Sequence, residues 1–445
     1  MAITILSSAQ CRTDVNFVRT FTGSRFLFHC ICAIRLRKFS QLYANMPQRL
    51  ITIFIGTLFA ESLYAQTFSE LEAKLHKHPQ LQSLSYQADS QRQQSTASMG
   101  LPDPVVSLGI NNFPIFDPSF DEFLPTNKAI GVRQRFPNRA TRRARAKSIS
   151  AEAEQSDQLR EQTLAAMRAE LVSLLHNKVR ITKQRAFAQQ RDKKYSQLAD
   201  VIESEVGSGR TSVFRLAEVE AERAEVARTL IDLQAQTEQL DARLRYLVDE
   251  VPLTSPPELN PADWSGSTQD FYATRVANSA LKVSENGIDE AKAAWKPEWG
   301  AQLTYQQREA GRNFDGDDWT SVMVTFTIPF WGKDKQAPAL RAAQARQQAA
   351  KQRVSETQRK ALSLYSSAMA AYVAADKTKD VFEQKITAIK QEIAAQQSRY
   401  ESGDGNYAPV LDGEIAILKL RAEIAEEHAR GQMAVAQMNA LLVTP

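Results

Sequence analysis

The sequence predicts a mainly α-helical protein with a minority of membrane-type β-strands, built as two copies of one plan. Three observations predict it. Two very long stretches, from Asn138 to Val206 and from Ala339 to Ser402, contain neither Gly nor Pro. Four short runs alternate apolar and polar residues with a period of two. The order of these features in the first half recurs in the second. The chain has 445 residues with only 17 Gly and 17 Pro, and a mean hydropathy of −0.38. It holds no run of about 18 apolar residues, so no helical membrane span is expected.

From the N-terminus, residues 46–65 read as a secretory signal peptide. Arg49 supplies a positive start, Leu50 to Ala60 an apolar stretch, and Leu63-Tyr64-Ala65 a small-residue end. Residues 1–45 before it read as an over-extended start. Seven basic and two acidic residues lie in 1–65, so 48 basic and 49 acidic residues remain beyond it. That balance leaves no polybasic footprint for nucleic acid. Cys11, Cys30 and Cys32 leave with the same segment, so the remainder can form no disulfide, thiolate metal site or catalytic thiol.

The two copies are expected at 67–250 and 270–445, joined by a proline-rich linker over 251–269. Each begins with helical sequence, at Leu81 and Leu281. A proline corner follows, Leu101-Pro102-Asp103-Pro104 and Trp295-Lys296-Pro297-Glu298, then a strand, a turn-rich gap and a second strand ending in proline. Strands are expected near 103–113, 126–137, 298–308 and 319–329. Val106, Leu108 and Ile110 alternate with Ser107 and Gly109, and Val322, Val324 and Phe326 with Met323 and Thr325. Such runs match the 9–11 residues of a tilted membrane strand. Phe113, Trp299, Trp319, Phe330 and Trp331 lie near their ends, as in interfacial girdles. Four strands cannot close a membrane barrel, for which about eight is the minimum, so several chains must share one. Periodicity alone does not choose between two, three or four chains.

A long helix, a glycine turn and a returning helix close each copy. The 64 residues from Ala339 to Ser402 would span about 96 Å as one helix. Ala361, Leu364, Tyr365, Ala368 and Tyr372 outline a narrow apolar seam on it. The returning helices are expected over 210–251 and 408–443. Gly209 and Glu218 of the first copy correspond to Gly405 and Glu414 of the second.

Catalytic motifs are absent: no nucleophile elbow, phosphate loop or local His/Glu metal motif occurs. His76 and His78, two apart, would diverge on a helix, and they, His176 and His428 read as solvated-face histidines. No cofactor, metal site or enzyme activity is expected. The basic run Arg139, Arg142, Arg143, Arg145 and Lys147 suits lipid head groups, neighbouring helices or plain solvent.

The chain resembles the TolC-like outer-membrane efflux proteins, and among them the outer-membrane component of heavy-metal efflux systems of the cobalt–zinc–cadmium type. The resemblance covers essentially all of 67–445. It rests on Leu101-Pro102-Asp103-Pro104, on Ile130 through Asn138 with Arg142-Arg143-Ala144-Arg145-Ala146, on Trp295 through Trp299, on Tyr305-Gln306-Gln307-Arg308, and on Ile328-Pro329-Phe330. It implies a homotrimer whose twelve-stranded β-barrel sits in the outer membrane of a Gram-negative bacterium and continues into a periplasmic α-helical barrel. It implies two partners, a periplasmic adaptor (membrane-fusion) protein and an inner-membrane proton-driven pump. Divalent heavy-metal cations are the implied cargo; a drug or protein conduit of the same fold, or a periplasmic coiled-coil adaptor, are the alternatives. Loops 114–125 and 309–318 would face the exterior. The adaptor would meet the tip residues Val206, Gly207, Gly209 and Thr211, and with them Gly403 and Gly405, although the second turn departs from the family's Val-Gly motif. In Pro409-Val410-Leu411-Asp412 the first carboxylate of the family's Asp-Val-Leu-Asp run is missing. Asp412 and, secondarily, Glu414 are therefore the gate candidates, where a ring of carboxylates would favour cations.

Overall fold

The computed structural model describes residues 67–208 and 213–443. The extension at 1–45, the signal peptide at 46–65, and Gly209 and Thr211 of the first tip lie outside these residues.

The element order is α1 (Phe68–Leu75), α2 (Pro79–Ser98), β1 (Val105–Asn111), β2 (Asn127–Phe136), α3 (Arg139–Gly207), α4 (Val213–Val248), α5 (Tyr272–Ala293), β3 (Glu298–Gln307), β4 (Trp319–Thr327), α6 (Gln336–Glu401) and α7 (Ala408–Leu441). Each half of the chain runs through a helix, two strands, a very long helix and a returning helix in that order. Local chemistry sets the boundaries. Pro137 stops β2, and the Asn138 side chain accepts the Ala140 N–H at 2.7 Å, capping α3. Pro79 opens α2, and Pro338 and Pro409 fall within the first turns of α6 and α7, where a missing N–H costs nothing. Helix α3 has 69 residues and α6 has 66, each a rod of about 100 Å.

The first hairpin is a coiled coil in the strict sense. Ile181, Ala188, Tyr195 and Ile202 of α3 are buried at intervals of seven, as are Val219, Val226, Leu233, Leu240 and Leu247 of α4. A sustained seven-residue repeat imposes a left-handed supercoil. Helix α3 packs on α2, α4, α5 and α7, and α7 packs on both α3 and α6. The seam expected on α6 is narrower than its sequence suggests. Ala361, Tyr365 and Ala368 are buried, but Leu364 is 49% exposed, because one residue past it the helix has turned about 100° towards the seam.

The linker has no regular structure until a short turn at Thr268–Asp270, yet it is tied along its length. Leu259 N donates to Gln432 at 2.8 Å, Ala262 N to Asn439 at 2.8 Å, and Lys178 Nζ to the Pro252 carbonyl at 3.0 Å. Trp264 packs against Tyr365 and the fully buried Phe271. It is a strap across α3, α6 and α7.

The strands form one antiparallel sheet in the order β1-β2-β3-β4. Val106 pairs with Val132, which pairs with Leu303, which pairs with Val322; Phe136 pairs with Trp299, which pairs with Phe326. With a period of two, this register gathers the apolar residues on one face and Ser107, Arg133, Gln302, Thr304 and Thr325 on the other. Gly131 and Gly300 lie on the polar face, where a β-carbon would come within 2.7 Å of Ser107 Oγ and 3.0 Å of Thr325 Oγ1. Among the described residues the strands have substantial packing only with one another, so no described helix lies over the apolar face.

Candidate functional site

Two regions carry the functional geometry: the bare sheet and the tips of the hairpins. On the sheet, Leu108 is 78% exposed and Val322 72%, with Val106, Ile130, Leu303, Val324 and Phe326 also exposed. Strands β1 and β4 are the two edges, each with one side unpaired among the described residues. A contiguous apolar face flanked by open edges is not tolerated in water and signals a missing environment. At one end Phe136 stacks on Trp299 with centroids 4.0 Å apart. At the other, Lys128 pairs with Glu309 at 2.5 Å and Arg308 lies over Trp319 at 4.5 Å, knitting the two hairpin loops. In the basic run, Arg142 is turned inward onto the Met99 and Gly100 carbonyls, while Arg139, Arg143, Arg145 and Lys147 face solvent.

The tips differ from each other. Val206 and Gly207 end α3 in helical geometry, and nothing lies within 4 Å of a β-carbon added at Gly207. Gly403 has φ +79°, and its N–H and that of Asp404 return to the Tyr400 and Arg399 carbonyls at 3.0 Å. Among the described tip residues the left-handed glycine that a helix stop favours is Gly403, in the turn departing from the family motif. Tyr400 and Tyr407 flank that turn with ring centroids 5.2 Å apart.

Both gate candidates are ion-paired within the chain, where sequence reasoning placed bare carboxylates. Asp412 Oδ2 accepts from Arg215 Nη2 at 2.8 Å, and the same guanidinium holds Glu218 at 2.8 Å. Glu414 meets Lys194 at 2.7 Å. Burial pushes the Asp412 carboxyl above its ordinary value against the opposing pull of Arg215. One step further up, Glu222 accepts from Tyr195 Oη at 2.6 Å and from Lys419 at 3.1 Å. Those two donors, Tyr195 first, hold the Glu222 carboxyl below its usual range. Higher again, Arg180 of α3 bridges Gln236 of α4 at 3.0 Å and Glu426 of α7 at 2.8 Å. The contacts form a ladder joining α3, α4 and α7. Sequence reasoning missed it, since its links to α7 join partners 197 to 246 residues apart.

Nor are the histidines solvated as a set. His78 is buried, its Nδ1 accepts the Gln80 N–H, and its Nε2 lies 3.2 Å from the Tyr246 carbonyl. His76 ends α1 and stays exposed, so the pair does not share one helix. His176 is 2% exposed and meets the Pro257 carbonyl at 3.0 Å. Local spacing carries none of these long-range partners.

Residues 274–442 match the protein family described as outer membrane efflux protein. No curated protein matches the chain. Among solved structures, the outer membrane protein VceC from Vibrio cholerae is similar with a TM-score of 0.68 at 15% identity, covering 84% of this chain and 95% of that one. The channel protein CusC gives 0.69 at 14% identity, covering 85% and 95%. The open state of the MtrE outer membrane channel of Neisseria gonorrhoeae gives 0.64 at 17%, covering 84% and 88%. At these identities the likeness establishes the fold: strands and long helices arranged as in outer-membrane efflux channels. The family match covers the second half of the chain, and the fold likeness covers most of it.

Proposed function

We propose that three copies close a twelve-stranded barrel in the outer membrane and form the exit duct of a tripartite efflux system. A periplasmic adaptor docks at the hairpin tips, and an inner-membrane proton-driven pump supplies the energy. The observation that carries this reading is the sheet, whose apolar face and two open edges find no cover among the described residues. Lipid covers the face, and neighbouring chains pair the edges, because open edges are not tolerated in the bilayer. A periplasmic coiled-coil adaptor has no use for such a sheet.

The cargo is divalent heavy-metal cations. Support for this comes from the motif set around 101–104, 130–146 and 295–308. A deletion strain complemented with this chain separates cargo classes. Restored tolerance to zinc, cobalt or cadmium without change in drug tolerance supports metal efflux. Restored drug tolerance or protein export alone supports the other conduit.

A further inference from the structure

The strap between the repeats holds a side-chain cluster that the channel reading does not use. His176 projects from α3, His428 from α7, and Glu258 from the strap. One ring nitrogen of each histidine and one Glu258 carboxylate oxygen all lie within 4.8 Å of one another. Among the described residues no other group of three such side chains converges. The two imidazoles stand edge to face with centroids 6.0 Å apart, and His428 Nε2 lies 3.2 Å from Glu258 Oε1.

The chemistry of the trio is specific. A carbonyl oxygen only accepts, so His176 Nε2 carries the hydrogen it shares with Pro257, which fixes the ring as second-sphere carbonyls fix metal-bound imidazoles. Ligation through Nδ1 keeps that bond, and ligation through Nε2 exchanges it for the metal. Two imidazoles and one carboxylate suit Zn²⁺ and its first-row neighbours; Ca²⁺ and Mg²⁺ take all-oxygen sets, and Cu⁺ takes sulfur. With bonds of about 2.0–2.1 Å, tetrahedral donors stand roughly 3.3 Å apart, so the set closes by about 1.5 Å at most. Glu258 is exposed and His428 half-buried, which leaves both free to make that movement about the fixed His176.

The geometry points to a binding site for one Zn²⁺-class divalent transition-metal ion per chain, which staples the inter-repeat strap to α3 and α7. Water fills the fourth position. The site lies outside the proposed adaptor and gate regions, and it stands whichever cargo the channel carries.

The test uses detergent-purified full chain without a histidine tag, stripped with chelator. Co²⁺ is followed by its visible d–d absorption and Zn²⁺ by calorimetry. The wild type is expected to bind one ion per chain saturably, with the intense band of a tetrahedral site. His428→Ala and Glu258→Gln are expected to weaken binding about tenfold or more. Both sit at accessible positions and should keep the wild-type circular dichroism and oligomeric state. His76→Ala, outside the cluster, should bind as the wild type does. Absence of saturable binding to the wild type, or unchanged binding in both cluster variants, overturns the site.

Discussion

Hairpins α3–α4 and α6–α7 share one plan but bury their seams against different neighbours. In the first, α4 covers a heptad of Val and Leu completely against its own chain, with Val226 and Leu244 fully buried. In the second, α6 buries four alanines with Tyr365 and Ile386, and leaves Leu362, Leu364, Val373 and Val381 exposed. Helix α7 meanwhile gives Ala408, Leu411 and Ile415 to a cluster with α3 of the other repeat. The two hairpins thus differ in degree: α4 buries its Val and Leu heptad inside the chain while leaving Ile231 and Tyr246 exposed, and α6 leaves four Leu and Val side chains uncovered. Helix α6 packs on α5 and α7 and has a free side, which the trimer reading assigns to a neighbouring chain.

The largest expected effect separates those two kinds of leucine. Leu244→Ala should cost about 2–5 kcal/mol of protomer stability, seen as a lower thermal midpoint, since it opens a cavity in a covered core. Leu364→Ala should leave the protomer's melting nearly unchanged and lower the trimer fraction in native mass spectrometry. Equal melting losses at the two positions would erase the distinction.

A smaller effect compares the two tips. Gly403→Val forces a branched side chain to φ +79° and should cost about 1–3 kcal/mol. Gly207→Arg points into open space, so trimers should persist at wild-type stability while cross-linking to the adaptor and metal tolerance both fall. Unaltered tolerance would remove Gly207 from the docking surface.

The ion-pair ladder sharpens the comparison further. Asp412→Ala leaves Arg215 with Glu218 alone and cuts its link to α7, and planar-bilayer recordings should show a higher leak conductance or altered ion selectivity. Identical single-channel records would remove the gate role. The smallest effect is in pH. Glu222 is held below its ordinary value of 4.5, so its stabilisation is complete above that value and is lost as pH falls through the lowered one. Melting midpoints taken below pH 4.5 should therefore fall less steeply for Glu222→Gln than for the wild type. Parallel slopes would show that the ladder adds nothing there.

Much of the fold was legible because it is written in periodicity. Missing Gly and Pro marked the rods, two-residue alternation marked the strands, and Pro137-Asn138 and Ser402-Gly403 marked where one element gives way to the next. The sites were less legible, for a physical reason. Asp412 is a lone acid in sequence, and only folding across α3 brings Arg215 to it. His176, Glu258 and His428 belong to a helix, a linker and another helix, and no local spacing joins them. Gly403 was visible as a turn, but its left-handed backbone emerges only from the helix stop around it.

The sheet decides the account. Residues 67–445 contain no cysteine, so single cysteines placed along β1 and β4 of this chain report on each other alone. In isolated outer membranes, oxidation should join β1 of one chain to β4 of the next and give a ladder of monomer, dimer and trimer that ends at three. A chain that gives no such bonds and purifies as a monomer from aqueous buffer without detergent would contradict it.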